Sequence, residues 1–264
     1  MLLSKAALPI TDISIARGYA VFDAMLAIGQ KPLHAKDHIK RFFDSAKASR
    51  INIGYSQKEV LEAILSVLQK NKLAASKVRV IATGGNLVNG LEFDPKTNSF
   101  FVIAEPYIEP AKIVYENGIS LITAEYQRPL AHAKTTNYMA AVHLQEKRIK
   151  NKAFEILYTQ NGNISECSTS NFFIVKGDKL FTPKDGILKG IIRKFVLNSA
   201  SKVGLKVIEK PITLKDLAAA DEAFISASYK GVIPVVKVDN LIIGNGKVGH
   251  AAQTLAELYK KFSV

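Results

Sequence analysis

Ala133-Lys134-Thr135-Thr136-Asn137-Tyr138 and, further along, Ile164-Ser165-Glu166-Cys167-Ser168-Thr169-Ser170-Asn171 are the two most informative stretches of this chain. The first leads into a helical segment, with Thr135, Thr136 and Asn137 as candidate caps. A lysine at such a boundary can be partly desolvated and lose proton affinity, as attack on a carbonyl requires. With the helix starting there, Tyr138 lies about one turn beyond Lys134, and the two can point to one side. The second stretch follows a short apolar strand and sets Glu166 among short hydroxyl side chains. An amine, a phenol and a carboxylate are what a carbonyl cofactor with a pyridine ring needs. The amine forms a Schiff base, the phenol hydrogen-bonds an acidic ring hydroxyl, and the anion keeps the ring nitrogen protonated. Each has a plainer reading alone: a solvated lysine, or a turn carboxylate capping local amides.

Upstream, 37–49 places Ile39, Phe42, Phe43 and Ala46 on one helical face, and 57–71 repeats the pattern with Val60, Leu61, Ile64, Leu65 and Leu68. Residues 77–83 and 99–104 are β-rich runs separated by a turn-forming region from Gly84 to Asn98. Pro106 and Pro110 break all periodicity around them and mark a linker. Beyond it, strands at 119–124, 154–159, 171–175, 206–209, 222–227 and 232–238 alternate with helices at 138–150, 191–203 and 248–262. The turn Asn161-Gly162-Asn163 predicts a hairpin, which favours a mixed or antiparallel sheet over a doubly wound parallel one. The expected fold class is α+β (mixed α/β) in two domains. A small domain covers 1–106, a linker 107–117, and a larger domain 118–264.

The chain has 264 residues, 48% hydrophobic and 22% charged, enough for a substantial core. No apolar run has the length to cross a bilayer, and the first residues lack the pattern of a signal peptide. A single cysteine, Cys167, excludes an intrachain disulfide, so a cytoplasmic location is the expectation. The net charge of +13 is spread along the chain and interleaved with acids. Its densest run, Lys147, Arg148, Lys150 and Lys152, reads as the solvated end of a helix. A nucleic-acid binder would cluster such charge on one face or in a tail, so no nucleic-acid partner is expected.

The ordered set of motifs resembles the fold-type IV, pyridoxal-phosphate-dependent class IV aminotransferase family. That family includes branched-chain and D-amino acid aminotransferases and aminodeoxychorismate lyase. The resemblance rests on the two opening stretches together with Arg17-Gly18-Tyr19-Ala20-Val21-Phe22-Asp23, His38-Ile39-Lys40-Arg41, Ile187-Leu188-Lys189-Gly190-Ile191-Ile192-Arg193 and Phe224-Ile225-Ser226-Ala227-Ser228. It implies pyridoxal 5'-phosphate as cofactor and Lys134 as the aldimine-forming, proton-shuttling lysine. Glu166 would pair with the pyridine nitrogen, Tyr138 with the phenolic oxygen, and Leu188 would lie against the ring. Arg41 would grip the phosphate, with backbone N–H groups of Ile191 and Ile192 at a helix entry and the Ser228 hydroxyl. Ile192 departs from the family's frequent threonine, which leaves only a backbone contact at that position.

The resemblance implies a homodimer acting on small amino acid and keto acid substrates. The Arg-x-His carboxylate trap of the usual D-amino acid enzymes is absent from Gly84-Gly85-Asn86-Leu87-Val88-Asn89-Gly90. Arg17 is the alternative, either facing a neighbouring subunit's site or held in a structural salt bridge, and Tyr229 is a further substrate-lining candidate. Arg79 can point into a cleft or to solvent. The expected activity is amino transfer from a branched-chain or D-amino acid to a 2-keto acid. The alternative is release of pyruvate and 4-aminobenzoate from aminodeoxychorismate.

Overall fold

A computed structural model describes residues 3–262, which form two compact units. The first holds the described residues up to Ile108 together with Ala133–Tyr138, and the second holds Glu109–His132 and the chain from Met139 onward.

The first unit opens with helix α1 (Ile13–Arg17), capped by Asp12 and closed by Gly18 in the left-handed conformation. Strand β1 (Ala20–Ile28) and the short β2 (Lys31–Pro32) precede helices α2 (Ala35–Ala48) and α3 (Gln57–Asn71). Strand β3 (Ala75–Thr83), the hairpin of β4 (Asn86–Asn89) and β5 (Glu92–Asp94), and β6 (Phe100–Pro106) complete it. An antiparallel sheet of order β2-β1-β3-β6 results. Strand alternation sends Val21, Met25, Val78, Val80 and Ala82 toward Ile39, Phe42, Val60, Ile64 and Leu68 of the two helices. The helix spacing read from the sequence is thus the core face, except for Leu65, which lies exposed at its edge. α3 starts at a reciprocal cap between Ser56 and Glu59.

The expected helix over 138–150 is shorter and broken. It consists of α5 (Met139–His143) and α6 (Gln145–Lys150), after the single turn α4 (Ile113–Glu116). Lys134–Tyr138 is not helical. Thr136 N–H donates to Ala20 O and Phe22 N–H to Lys134 O, both at 2.9 Å, so the segment lies extended along the start of β1. Sheet pairing has taken the amides that a helix would have used.

The second unit is built on one mixed sheet. Its strands are β7 (Ile119–Glu125), β8 (Glu155–Gln160), β9 (Asn163–Cys167), β10 (Asn171–Lys176), β11 (Lys179–Thr182), β12 (Lys206–Glu209), β13 (Ile212–Thr213), β14 (Glu222–Ala227), β15 (Gly231–Val238) and β16 (Leu241–Ile242). The order is β12-β11-β10-β14-β15-β7-β8-β9-β13, with β16 on β15. Among the described residues, β11/β12, β15/β7 and β7/β8 pair in parallel and the other pairs are antiparallel. The β8–β9 turn has Asn161 and Gly162 both at positive φ, 50° and 75°, as a two-residue hairpin of this sequence requires. Helices α7 (Ile191–Ser199) and α9 (His250–Phe262) cover one face, packing Ile192, Val196, Ala252 and Leu255 on Phe173 and Phe224. The one-turn helix α8 (Leu214–Ala218) sends Leu217 into the apolar cluster on the other face.

Candidate active site

In the first unit, α2 presents His38, Arg41 and Ser45 at helical spacing on one side. Ser45 Oγ accepts the Lys134 backbone N–H at 3.0 Å, and Arg41 reaches Asp23 of β1. That second contact is a two-pronged ion pair, Nε to Oδ2 at 2.8 Å and Nη2 to Oδ1 at 2.9 Å. His38 Nδ1 donates to the same carboxylate at 2.7 Å. Burial opposes the charge on Asp23, but Arg41 and His38 outweigh it and hold the carboxyl well below the usual range. His38 is driven below its ordinary value by burial, against the pull of Asp23.

Lys134 Nζ lies 4.5 Å from the centre of the Phe22 ring, and the Tyr138 ring meets the same ring edge-on at 5.8 Å. Lys134 and Tyr138 therefore flank one aromatic side chain of β1. The proximity expected of them comes from a shared strand neighbour and not from a helical turn. Arg17 is exposed, and its Nη1 donates to the adjacent Ala16 O at 2.9 Å. Arg79 Nη2 pairs with Glu105 at 2.6 Å across β3 and β6.

In the second unit, Glu166 Oε1 accepts Arg128 Nε at 2.8 Å and Oε2 accepts the Leu188 N–H at 3.0 Å. Arg128 also donates to Ala131 O at 2.7 Å. Asn171 Nδ2 holds Leu188 O at 2.7 Å. Glu166, Leu188 and the entry to α7 are thus tied together by side chain–backbone bonds. Gly190 is the N-cap of α7 and gives no side-chain cap, and Ile191 and Ile192 bury their side chains in the helix's first turn. Ser228 and Tyr229 sit half-buried in the β14–β15 turn, just past Ser226, which faces Asn171 across β10 and β14.

A family model described as amino-transferase class IV matches residues 20–238. The chain belongs to the class IV aminotransferases. It is 32% identical to a putative branched-chain-amino-acid aminotransferase of Methanocaldococcus jannaschii, over 97% of this chain and 91% of that one. It is 26% identical to a D-alanine aminotransferase of Staphylococcus haemolyticus, over 98% and 93%. Among solved structures, a T.th. branched-chain amino acid aminotransferase with pyridoxamine 5'-phosphate matches at TM-score 0.91 and 27% identity, covering 99% of this chain and 90% of that one. A putative 4-amino-4-deoxychorismate lyase from Legionella pneumophila matches at 0.88 and 25%, over 98% and 96%. The fold is fold-type IV, and class IV aminotransferases depend on pyridoxal phosphate.

The residues of this aminotransferase fit such a group. A Cβ on Gly190 would stand 2.0 Å from Asn171 Oδ1 and displace the amide that holds Leu188 O, and the helix's first amides have no side-chain cap. Ser226 Oγ is buried with no partner among the described residues. Gly190→Ala is accordingly expected to cost about 1–3 kcal/mol of stability by overpacking. It should also weaken phosphate-dependent cofactor uptake, and urea melts with a pyridoxal phosphate titration check both.

Two participants in this aminotransferase escaped sequence reading. Arg128 carries no sequence signal beyond a charge before Pro129, and Asp23 stands out only as part of a motif. A buried acid inside an apolar strand was the available sign, since such a group requires a partner.

Proposed function

We propose that this aminotransferase moves the amino group of a branched-chain amino acid to a 2-keto acid such as 2-oxoglutarate. The observation that carries this is the open face of the first unit's sheet. Strand alternation puts Phe22, Leu26, Ile81, Phe101 and Ile103 on the side away from α2 and α3, all half-buried, with Lys134 over Phe22. An apolar floor beside the reacting amine suits an aliphatic substrate side chain. Arg79, on the same face, is held by Glu105. The likeness to the M. jannaschii relative supports the same reading.

Pyridoxal 5'-phosphate, when bound, supplies a carbonyl for the substrate amine and a ring that withdraws electrons from the substrate α-carbon. Lys134 Nζ is proposed to bind that carbonyl and to accept the α-proton. Glu166, oriented by Arg128 and Leu188, would face the pyridine nitrogen. Tyr138 would donate to the ring's phenolic oxygen and Leu188 would pack against the ring. Arg41, the amides of Ile191 and Ile192 and the Ser228 hydroxyl would hold the phosphate. Asp23 grips the Nε–Nη2 edge of Arg41, and Nη1 is the nitrogen proposed to meet the anion.

Arg17 and Tyr229 are proposed substrate contacts, Arg17 acting toward the neighbouring subunit of a homodimer. Met139 and Val142 are exposed apolar residues of α5 that a subunit interface would cover. The location we propose is the cytoplasm. No helix among the described residues is long and apolar enough to cross a membrane.

The test is a panel of L-branched-chain donors and D-alanine against 2-oxoglutarate and pyruvate, with aminodeoxychorismate included. Transfer from L-leucine, L-isoleucine and L-valine is expected. The lyase, suggested by the Legionella likeness, would instead release pyruvate from aminodeoxychorismate with no acceptor.

A further inference from the structure

Lys230 follows Tyr229 in the β14–β15 turn, where a pocket-lining role would be the simple reading, but its side chain turns inward. Its Nζ donates to Glu155 Oε2 at 2.8 Å, to Thr169 Oγ1 at 2.7 Å and to Ser170 Oγ at 3.4 Å. Those are all three of its donors. Glu155 on β8 is 3% exposed. Besides Lys230, it accepts the hydroxyls of Ser168 at 3.2 Å, Thr169 at 2.8 Å and Ser170 at 2.8 Å, together with the Thr169 N–H. One buried carboxylate therefore organises the whole 168–170 turn.

That turn joins two residues of the candidate site, Glu166 just before it and Asn171 just after. Lys230 joins the same carboxylate to the segment that carries Ser228, whose turn is further pinned by Tyr115 Oη on Lys230 O at 2.9 Å and by Lys230 N–H on Ala227 O at 3.1 Å.

We propose that Glu155 and Lys230 are positioning residues: their ion pair fixes the Glu166–Asn171 segment against the Ser228 turn, setting the pyridine end and the phosphate end of the cofactor surface in one register. This rests on the proposed roles of Glu166 and Ser228. Stability alone does not account for the pair, because apolar residues of similar volume commonly serve a core as well or better. What an apolar pair cannot do is orient three hydroxyls and an amide. Burial opposes the charge on Glu155, yet Lys230 and the hydroxyls of Ser170 and Thr169 hold its carboxyl below the ordinary value.

The experiment uses the full chain with Glu155→Gln and Lys230→Met combined, which removes both charges and keeps an acceptor at 155. Pyridoxal phosphate affinity is followed by absorbance, and amide exchange is followed at 168–170. The expected result is a folded protein with about tenfold weaker cofactor binding, the scale seen when outer partners of a binding residue are removed, and faster exchange at Thr169. Lys230→Arg, which keeps the cation, is expected to stay near wild type. If the double variant does not fold, Ser170→Ala removes one bond from each member of the pair and should weaken binding about threefold. Wild-type affinity and unchanged exchange in the double variant, or in Ser170→Ala where the double variant does not fold, would overturn the proposal. A wild-type protein that takes up no pyridoxal phosphate would instead overturn the functional reading, and the exchange measurement would still report whether the pair orders the turn.

Discussion

Lys134→Ala is expected to lower amino transfer by about a thousandfold or more while leaving the protein folded. The magnitude follows from removing both the nucleophile and the proton acceptor, since general base catalysis alone contributes about 10²–10⁴-fold. The fold survives because the backbone of this segment is held without the side chain. Lys134 N–H is bound to Ser45 Oγ, Lys134 O to Phe22 N–H, and Thr136 N–H to Ala20 O. The lost contact of Nζ with the Phe22 ring is worth only about 0.5–1 kcal/mol at a partly exposed site. Turnover with a branched-chain donor and thermal melting, measured together, check this. A variant within tenfold of wild-type activity would remove Lys134 from the chemistry.

Asp23→Asn is expected to destabilise the first unit by about 3–5 kcal/mol, because it leaves Arg41 largely buried without its counter-charge. The amide would also turn donors toward the donors of Arg41 and His38. Urea unfolding should show a clearly lowered midpoint, and a midpoint equal to wild type would contradict this role for the pair. The pH dependence has a definite sign. Asp23 has a folded value below its unfolded one, so its contribution is complete above about pH 4 and is lost as pH falls further. His38 is also lowered in the folded state, mainly by burial, so the native form favours the neutral ring. Its contribution is present above about pH 6.5 and declines as acid charges the unfolded chain. Wild-type stability should therefore fall in two stages on acidification, first through His38 and then through Asp23. Asp23→Asn should lack the second stage.

The parts legible in the sequence were those fixed by local rules. The apolar spacing of α2 and α3 and the Asn161-Gly162 turn are set by periodicity or backbone conformation. β1 carries no clear strand signal, because Asp23 interrupts its apolar run and its alanines are indifferent strand formers; pairing with β3 and burial against two helices override both. The segment after Lys134 looked like the start of a helix, and a non-local strand contact decided otherwise. Arg41 and Glu166 could be named, but their partners could not. Asp23 lies 18 positions from Arg41, Arg128 lies 38 from Glu166, and Lys230 lies 75 from Glu155. Such pairs exist only once the topology has formed, and no spacing rule announces them.

All of the proposed chemistry depends on Lys134 being the residue to which the cofactor attaches. Borohydride reduction of the protein loaded with pyridoxal phosphate, followed by peptide mass mapping, tests that attachment. A single stable pyridoxyl adduct on the peptide containing Lys134 is expected. An adduct on any other lysine with Lys134 unmodified, or none in a protein that transfers amino groups, would contradict it.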